Sequence, residues 1–217
     1  MSDPVDVAQR REAYHRDGLR RADLDADPMV VFEAWYREWL DTGPYDGTAV
    51  VVATADAGGR PSARYVLLKG YDERGFVFYT NGTSRKGAEL RDNPQAALCF
   101  GFIPLNRQVR VVGDVEAVSA AEADAYFASR PRGSQENAWA SAQSAAVPDR
   151  AALEAAAAVA TERFAGGEVA RPEAWGGYRV VPTEIEFWQG RPDRLHDRFT
   201  YLRPALDAPW RLERLQP

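Results

Sequence analysis

The three side chains of Arg194, His196 and Arg198 occupy alternate positions near the C-terminus of the chain. On an extended strand this spacing points all three to one face of the sheet, where together they would attract an anion. A ligand platform of this kind is notable because the chain has a formal net charge of -5 and only two histidines. The alternative is a solvent-exposed edge strand whose arginines pair with Asp193 and Asp197.

A second pair of cations lies in the segment 81–86, which joins a predicted strand to a predicted helix. Arg85 and Lys86 would stand in the first turn of that helix, where positive charge opposes the helix macrodipole. A phosphate bound among the free backbone N–H groups would relieve this conflict. The alternative is that both charges are exposed and are tolerated at a small cost.

Two further cations, Arg64 and Lys69, interrupt an otherwise apolar predicted strand. Their odd spacing puts them on opposite faces of a regular strand, so they should meet different groups. A buried cation needs a partner, which is either a carboxylate or a bound anion. Structural ion pairs are therefore the competing interpretation for each residue taken alone.

A phenol, a guanidinium and a hydroxyl follow each other closely in Tyr126, Arg130 and Ser134. The first two are four residues apart on a predicted helix and therefore share a face, and the serine follows just beyond Pro131. The three groups together would form a phosphate cup. A tyrosine and an arginine at this spacing also stack on each other without any ligand.

The elements that must position these residues are many short strands with a few inserted helices. Helices are predicted at 27–42, 84–91, 119–129 and 148–164, and strands at 49–55, 62–69, 76–79, 95–102, 108–118, 178–181, 184–189, 194–202 and 210–215. Asp27 and Pro28 give the first helix its N-cap and first turn, and Ser119 with Glu122 forms a capping box for another. An antiparallel barrel is the predicted architecture, because closing the sheet removes its exposed edges.

Composition limits the class of protein. The length of 217 residues and 45% apolar content suit one domain, predicted over 27–217 with an N-terminal arm at 1–26. Cys99 is the single cysteine and is expected to be a buried, inert thiol. The net negative charge argues against nucleic acid, and without a signal-like or membrane-spanning apolar stretch we expect a cytoplasmic protein. No Rossmann fingerprint, P-loop, serine-hydrolase elbow or zinc spacing occurs.

Taken together, these motifs resemble the pyridoxine/pyridoxamine 5′-phosphate oxidase family, and the likeness runs from about Arg10 to Pro217. The motifs are Gly18-Leu19-Arg20-Arg21, the segment 64–69, Phe78-Tyr79-Thr80-Asn81, Ser84-Arg85-Lys86, Arg107-Gln108-Val109, Ser129-Arg130-Pro131-Arg132, Gln143-Ser144, Trp175-Gly176-Gly177, Glu186-Phe187-Trp188-Gln189-Gly190, the segment 194–199 and Arg214-Leu215-Gln216-Pro217. Each motif is weak alone, and the combination is specific.

The resemblance implies a mainly β fold with flanking helices, the FMN-binding split β-barrel, assembled as a homodimer with FMN at the subunit interface. By motif position, the FMN contacts would be Arg64, Val66, Leu67, Lys69, Tyr79, Thr80, Arg85, Lys86, Gln108, Gln143, Ser144, Trp188 and Arg198. The substrate phosphate would meet Lys69, Tyr126, Arg130 and Ser134. Arg194 and His196 would be the catalytic residues beside the substrate ring, and Arg11 and Tyr14 would belong to a lid formed by the N-terminal arm.

The implied activity is the oxidation of pyridoxine 5′-phosphate and pyridoxamine 5′-phosphate to pyridoxal 5′-phosphate, with dioxygen as acceptor and hydrogen peroxide as a product. The flavin would supply the redox chemistry and the protein would supply orientation and charge. Two alternatives remain open. One is a flavin oxidase that acts on another biosynthetic ring with the same scaffold, and the other is a noncatalytic protein that binds FMN or pyridoxal 5′-phosphate.

Overall fold

The structure is a computed structural model that describes Tyr14 and residues 18–217, so the predicted lid residue Arg11 lies outside the described residues.

Local sequence signals determine where the helices of the protein begin. The helices are α1 (Pro28–Asp41), α2 (Arg85–Asp92), α3 (Ala120–Ala128), α4 (Arg132–Ala140) and α5 (Arg150–Arg163). Asp27 caps α1 by accepting a hydrogen bond from the Met29 N–H at 2.9 Å, and Ser119 caps α3 by accepting from the Glu122 N–H at 3.1 Å.

The eight described strands form one antiparallel sheet. They are β1 (Ala49–Ala55), β2 (Pro61–Asp72), β3 (Gly75–Asn81), β4 (Gln95–Phe102), β5 (Arg107–Ala117), β6 (Trp175–Gln189), β7 (Asp197–Leu202) and β8 (Arg211–Leu215). Their order is β3-β2-β1-β4-β5-β6-β7-β8, and an additional pairing between β3 and β6 closes the first six strands into a barrel. The predicted antiparallel barrel with flanking helices is confirmed.

Much of the barrel core comes from alternation of buried and more exposed side chains along the strands, most regularly in β1. In β1, for example, Val50 and Val52 point inward and are almost completely buried, while their neighbours point outward. Helix α1 packs its apolar stripe against this core: the ring of Phe32 lies 4.8 Å from that of Phe76, and Trp35 lies 5.2 Å from Phe187. These edge-on aromatic contacts anchor α1 on the barrel.

The prediction of one extended strand from Arg194 to Leu202 is wrong at its beginning. Residues 192–194 form a 3-10 turn in which Asp193 and Arg194 have φ angles of 54° and 61°, and β7 begins only at Asp197. A left-handed backbone breaks the alternation of side chains that an extended strand would impose. Arg194, His196 and Arg198 therefore do not lie on one strand face.

Two other element boundaries also differ from prediction. The strands predicted at 178–181 and 184–189 are one strand, β6, whose pairing with β5 shifts register opposite Pro182. Pro182 lacks the N–H that a regular ladder requires, which explains why the sequence pattern breaks there. Helix α4 was not predicted, because Pro131 ends one helical segment and Gly133 lowers the helix propensity of the next. None of the helices in residues 18–217 is long and apolar enough to cross a membrane.

Candidate functional site

A cavity of about 700 Å³ lies beside β2 and β3 and is covered by the end of α3, by α4 and by the loop that follows α4. It brings together ten residues that the sequence predicted as contacts for the cofactor or substrate: Val66, Leu67, Lys69, Tyr79, Thr80, Lys86, Tyr126, Arg130, Ser134 and Gln143. The prediction that Arg130 lies on the same helix as Tyr126 is wrong, because α3 ends at Ala128 and Arg130 follows it. Tyr126 and Arg130 nevertheless line the same cavity.

The cavity is strongly cationic although the chain is acidic. Its lining contains Lys69, Lys86 and Arg130, and no aspartate or glutamate is among the described residues that line it. Lysine occurs only twice in the whole chain, and both lysines line this cavity. A concentration of positive charge without acidic partners is the expected electrostatic environment for an anionic ligand.

Lys86 is buried in the cavity wall, and among the described residues its ammonium donates only to neutral oxygen atoms. Its Nζ donates to Thr80 Oγ1 at 3.1 Å, to Gln143 Oε1 at 2.9 Å and to Ser84 Oγ at 3.4 Å. Burial lowers the pKa of Lys86, and the nearby Arg64 lowers it further, while Glu89 opposes the shift. A buried ammonium held in this way would be stabilised by a bound anion.

Arg130 is held by aromatic rings. Its Cζ lies 4.7 Å from the ring centroid of Trp175 and 5.5 Å from that of Phe127. Its Nη1 is buried without a hydrogen-bond partner, and the guanidinium forms no ion pair with the described carboxylates. Burial lowers the pKa of Arg130, while Tyr126 opposes the shift. An orphaned buried donor in a cavity wall indicates that an acceptor belongs there.

Arg64 and Arg85 lie outside the cavity lining and converge on a buried carboxylate, Glu89. Arg64 Nη2 is 3.3 Å from Glu89 Oε2, and Arg85 Nε donates to Glu89 Oε1 at 2.8 Å. Ser62 and Thr54 also donate to Glu89. Along β2, Arg64 is half-buried and Lys69 is exposed, in agreement with the prediction that the two side chains lie on opposite faces of the strand. The structure therefore gives Arg64 the ion pair that the sequence left as an alternative. It also pairs Arg85 with Glu89, although the alternative for Arg85 was an exposed charge without a partner.

Glu89 makes the stability of this end of the barrel dependent on pH. Burial alone raises the pKa of Glu89, but hydrogen bonds from Ser62, Thr54, Arg85 and Arg64 outweigh burial and lower the pKa to about 2. Because the pKa is lower in the folded than in the unfolded chain, the stabilisation is present above pH 4.5 and is lost as the pH falls toward 2.

We expect Glu89→Gln to reduce the free energy of unfolding by roughly 3 kcal/mol at pH 7, because two arginines lose their carboxylate. The difference from the wild type should shrink as the pH falls from 4.5 to 2. Urea unfolding at a series of pH values measures both effects. Glu154→Gln, which removes an exposed ion pair with Arg150, is the matched control and should cost less than about 1 kcal/mol at any pH. A constant difference across pH would contradict the assignment.

The loop after α4 closes the cavity near the beginning of α2. Gln143 Oε1 accepts from Thr80 and from Lys86, each at 2.9 Å. Ser144 has a φ of 74°, and its Oγ accepts a hydrogen bond from the Arg85 N–H at 3.2 Å. A serine in the left-handed region is uncommon and marks a loop whose conformation is fixed by its contacts. Ser144 itself is outside the lining.

A second group of predicted site residues lies around Trp188. The ring of His196 is 4.6 Å from that of Trp188, and Tyr14 packs edge-on against both rings at 5.7 and 6.0 Å. His196 Nδ1 accepts a hydrogen bond from the Arg191 N–H at 3.1 Å, so the neutral ring carries its proton on Nε2. Burial lowers the pKa of His196, as does Arg194, while Asp197 opposes the shift. Arg194 is exposed two residues before His196.

Arg198 and Gln108 lie on the strands next to Trp188. Cross-strand pairing sets Trp188 opposite Gln108 on one side and opposite Arg198 on the other. Arg198 Nε donates at 2.7 Å to Glu186, a carboxylate that is only 2% exposed, and the Cys99 thiol donates to Gln108 at 3.5 Å. Arg198 therefore pairs with Glu186 and not with Asp193 or Asp197. Cys99 is half-buried where full burial was expected, and burial raises the pKa of its thiol.

The two groups are separated along β6. Trp175, which lines the cavity, begins this strand, whereas Trp188 stands at its penultimate position. A strand of 15 residues extends for up to about 50 Å. One protomer therefore brings ten predicted residues together in the cavity and holds Trp188, Arg194, His196 and Arg198 elsewhere.

Sequence reasoning did not identify several residues of the cavity wall as contacts. These are Tyr65, Asn81, Ser129, Pro131, Asn137, Ala138, Ser141 and Trp175. Tyr65 is next to Val66 on a strand that the sequence predicts, so it could have been identified as a neighbour of the site. Asn137 and Ala138 belong to helix α4, which the sequence does not predict. Trp175 was part of a motif, but no spacing rule linked it to Arg130, which is far away in the sequence.

Comparison with known proteins supports one family along almost the whole chain. The family model described as "Pyridoxamine 5'-phosphate oxidase" matches residues 36–164, and the model described as "Pyridoxine 5'-phosphate oxidase C-terminal dimerisation region" matches residues 175–217. Proteins named pyridoxine/pyridoxamine 5′-phosphate oxidase from Burkholderia mallei (strain SAVP1) and Burkholderia orbicola (strain MC0-3) are each 53% identical over 212 residues, covering 97% of this chain and 99% of the relative.

Solved structures agree with the fold. PhzG from Burkholderia lata 383, in complex with tetrahydrophenazine-1-carboxylic acid, superimposes with a TM-score of 0.85 at 32% identity, covering 93% of this chain and 98% of PhzG. A pyridoxamine 5′-phosphate oxidase-related, FMN-binding protein from Nostoc punctiforme PCC 73102 has a TM-score of 0.69 at 17% identity, and the match covers 89% of this chain and 100% of that protein. At this identity the likeness supports the fold alone. The sequence matches across both regions and the shared barrel lead to one conclusion: the chain belongs to the pyridoxine/pyridoxamine 5′-phosphate oxidase family of oxidoreductases.

Proposed function

We propose that the protein is an FMN-dependent oxidase that converts pyridoxine 5′-phosphate and pyridoxamine 5′-phosphate to pyridoxal 5′-phosphate. Dioxygen is the acceptor and yields hydrogen peroxide, and the amine substrate also consumes water and releases ammonia. The observation that carries the proposal is the cavity that gathers Lys69, Lys86 and Arg130 without an acidic side chain among its described lining residues. The names of the 53% identical relatives support the same reaction.

The residues of the cavity fit two phosphate esters. The substrate phosphate is held by Lys69, Tyr126, Arg130 and Ser134. The buried Nη1 of Arg130, which has no hydrogen-bond partner, supports this assignment because a phosphate oxygen would accept its hydrogen bond. Lys86, with Thr80 and Gln143, belongs to the cofactor side, where its ammonium contacts only neutral oxygens. Arg64, Arg85 and Ser144 surround the same end of α2. Bound FMN would accept the hydride of the substrate and transfer electrons to dioxygen.

We infer that two copies of the chain complete each site. The cavity opens beside Tyr65 and Leu67, which are 76% and 41% exposed although they are large and apolar. An exposed apolar surface of this kind favours contact with another chain, and residues 175–217 match a dimerisation region. In a homodimer with two-fold symmetry, the partner's Trp188, Arg194, His196 and Arg198 would complete the cavity of the first protomer.

The structure also suggests how the second group acts. The backbone N–H of Arg191 donates a hydrogen bond to His196 Nδ1, so the other ring nitrogen, Nε2, carries the proton of the neutral imidazole. This Nε2–H serves as a hydrogen-bond donor to the substrate substituent. Arg194 is exposed and is free to orient the ring and to stabilise negative charge. We further propose that Tyr14 covers the site, because its ring packs edge-on against those of Trp188 and His196.

Another flavin oxidase reaction on this scaffold is the second candidate, and the 32% identity to PhzG favours it. The carboxylate of a tricyclic acid would also find cations in this cavity, but one carboxylate requires fewer donors than Lys69 and the three residues of the phosphate cup provide. Steady-state oxidation of both vitamer phosphates, with peroxide measured, tests the main proposal. Unphosphorylated pyridoxamine and tetrahydrophenazine-1-carboxylic acid serve as comparison substrates, and a preference for either would overturn it. Binding of FMN and pyridoxal 5′-phosphate without turnover would favour a noncatalytic role.

Replacement of Arg194 by methionine separates the chemical role of this residue from a structural one. We expect Arg194→Met to lower kcat by about 100-fold or more, because a charge that acts in the transition state is lost. Retention of FMN should change little, since Arg194 is exposed and lies outside the cavity lining. Steady-state kinetics and the flavin content of the purified protein measure the two effects. An equal loss of turnover and flavin would indicate a structural role.

A further inference from the structure

We propose that Trp175 is a positioning residue that orients the anion-binding guanidinium of Arg130 through a cation–π contact. The inference rests on the proposed function, because it assigns Arg130 to the substrate phosphate. In this arrangement Arg130 is kept in place without engaging its own N–H groups, which must contact the phosphate.

Arg130 and its neighbour Arg132 are held by opposite means. The Arg132 guanidinium donates to Glu136 and to the carbonyl oxygens of Phe164 and Gly167, which leaves it little freedom to bind a ligand. The Arg130 guanidinium makes no hydrogen bond with the described residues and lies 4.7 Å from the Trp175 centroid. A guanidinium held by its face keeps its N–H edge available for a bidentate contact with an anion.

Trp175 is itself fixed. It is 7% exposed, its backbone N–H donates to the Pro172 carbonyl at 2.9 Å, and its backbone carbonyl accepts from Arg171 Nη1 at 2.6 Å. Its ring is parallel to those of Tyr79 and Tyr126, with centroid distances of 5.5 and 6.1 Å. The indole is therefore a rigid wall of the cup, and its position determines that of Arg130.

A carboxylate in place of the indole would serve the cup poorly. It would neutralise Arg130 and compete directly with the phosphate for the same N–H groups. The aromatic face attracts the cation and leaves its full charge for the ligand. Removing the indole should consequently weaken binding of the phosphate and leave the chemical step unchanged.

We expect Trp175→Leu to raise the KM for pyridoxamine 5′-phosphate by about 10-fold, with kcat and the FMN dissociation constant within about twofold of the wild type. Trp175→Phe retains an aromatic face and should recover most of the loss. Trp139→Leu is the matched control, because Trp139 lies under Arg163 at 4.3 Å and is outside the cavity lining. Its KM should equal that of the wild type. Equal kinetic changes in the Trp139 and Trp175 variants would overturn the proposal.

A double-mutant cycle with Arg130→Met distinguishes action through Arg130 from direct contact with the substrate. In the Arg130→Met background, Trp175→Leu should raise the KM by less than about twofold, because the group that it orients is already gone. A full 10-fold increase in that background would overturn the proposal. If Trp175→Leu does not fold, the same cycle is measured with Trp175→Phe. This substitution should raise the KM by about threefold in the wild-type background and leave the KM unchanged in the Arg130→Met background.

Equilibrium binding of pyridoxal 5′-phosphate to the FMN-loaded protein separates this inference from the proposed function. If the wild type neither oxidises the vitamers nor binds this probe, the proposed function fails, and the assignment of Arg130 fails with it. If the wild type does both and the cycle is additive, only the role of Trp175 is wrong. The expected result is a coupled cycle, in the KM and in the dissociation constant of the probe.

Discussion

Lys86→Met should weaken the binding of FMN by about 100-fold, which corresponds to about 3 kcal/mol. The reason is that Lys86 is 8% exposed and its ammonium contacts only the oxygens of Thr80, Ser84 and Gln143. A cation desolvated to this extent without a carboxylate partner gains most of its stabilisation from a bound anion. Quenching of flavin fluorescence, in a titration of the apoprotein, measures the dissociation constant.

The same substitution should leave the apoprotein at least as stable as the wild type. Burial lowers the pKa of Lys86, so folding disfavours its charged form, and methionine removes that cost. Arg91→Met is the matched control, since Arg91 lies on the same helix, is exposed and pairs only loosely with Asp92 at 3.8 Å. It should bind FMN as the wild type does. If Lys86→Met lost folding stability and kept its FMN affinity, the lysine would be a structural residue.

Subunits carrying Arg130→Met and subunits carrying Arg194→Met should each form nearly inactive homodimers, yet their heterodimer should have about half of the wild-type activity. The reason is that Arg130 lies beside Trp175, which begins β6, whereas Arg194 lies five residues beyond the other end of β6 and outside the cavity lining. If each site combines the cavity of one chain with Arg194 of the other, the heterodimer contains one intact site and one doubly altered site. Co-expression with two affinity tags isolates the heterodimer, and kcat/KM for pyridoxamine 5′-phosphate measures the intact sites.

The matched control places both substitutions on one chain and pairs it with a wild-type chain. Shared sites predict that this heterodimer is nearly inactive, because each of its sites then contains one altered residue. Sites built within a single chain predict the reverse, with half activity for the control and none for the first heterodimer. The two arms contain the same substitutions in equal number, so differences in folding or expression cannot account for a reversal.

The sequence predicted the barrel well because its information is local. Alternation in β1, the turn residues between the strands and the caps of α1 and α3 all act within a few residues of one another. The ten predicted residues in the cavity were identified from the family resemblance and not from spacing alone. That resemblance carries information about three-dimensional neighbours that no local pattern contains.

The differences arise where distant residues decide the outcome. Glu89 on α2 pairs with Arg64 on β2, so the sequence could raise an ion pair for Arg64 as an alternative but could not name the acid. The left-handed backbone of Asp193 and Arg194 overrides an alternation that looked extended. Trp175 and Arg130 are far apart in the sequence and meet only in the folded chain. Tertiary contacts override local preference in each of these cases.

The placement of both lysines in one cavity has a practical consequence for handling the protein. Apart from the α-amino group, every primary amine of the chain belongs to Lys69 or Lys86. Reagents that acylate amines, such as those used to attach dyes or to couple proteins to a sensor surface, would therefore react at the α-amino group or inside the ligand cavity. Lys69 is exposed and would be modified before the buried Lys86. Immobilisation through an engineered tag would keep the cavity chemically intact, and acylation measured by mass spectrometry would report whether a ligand occupies it.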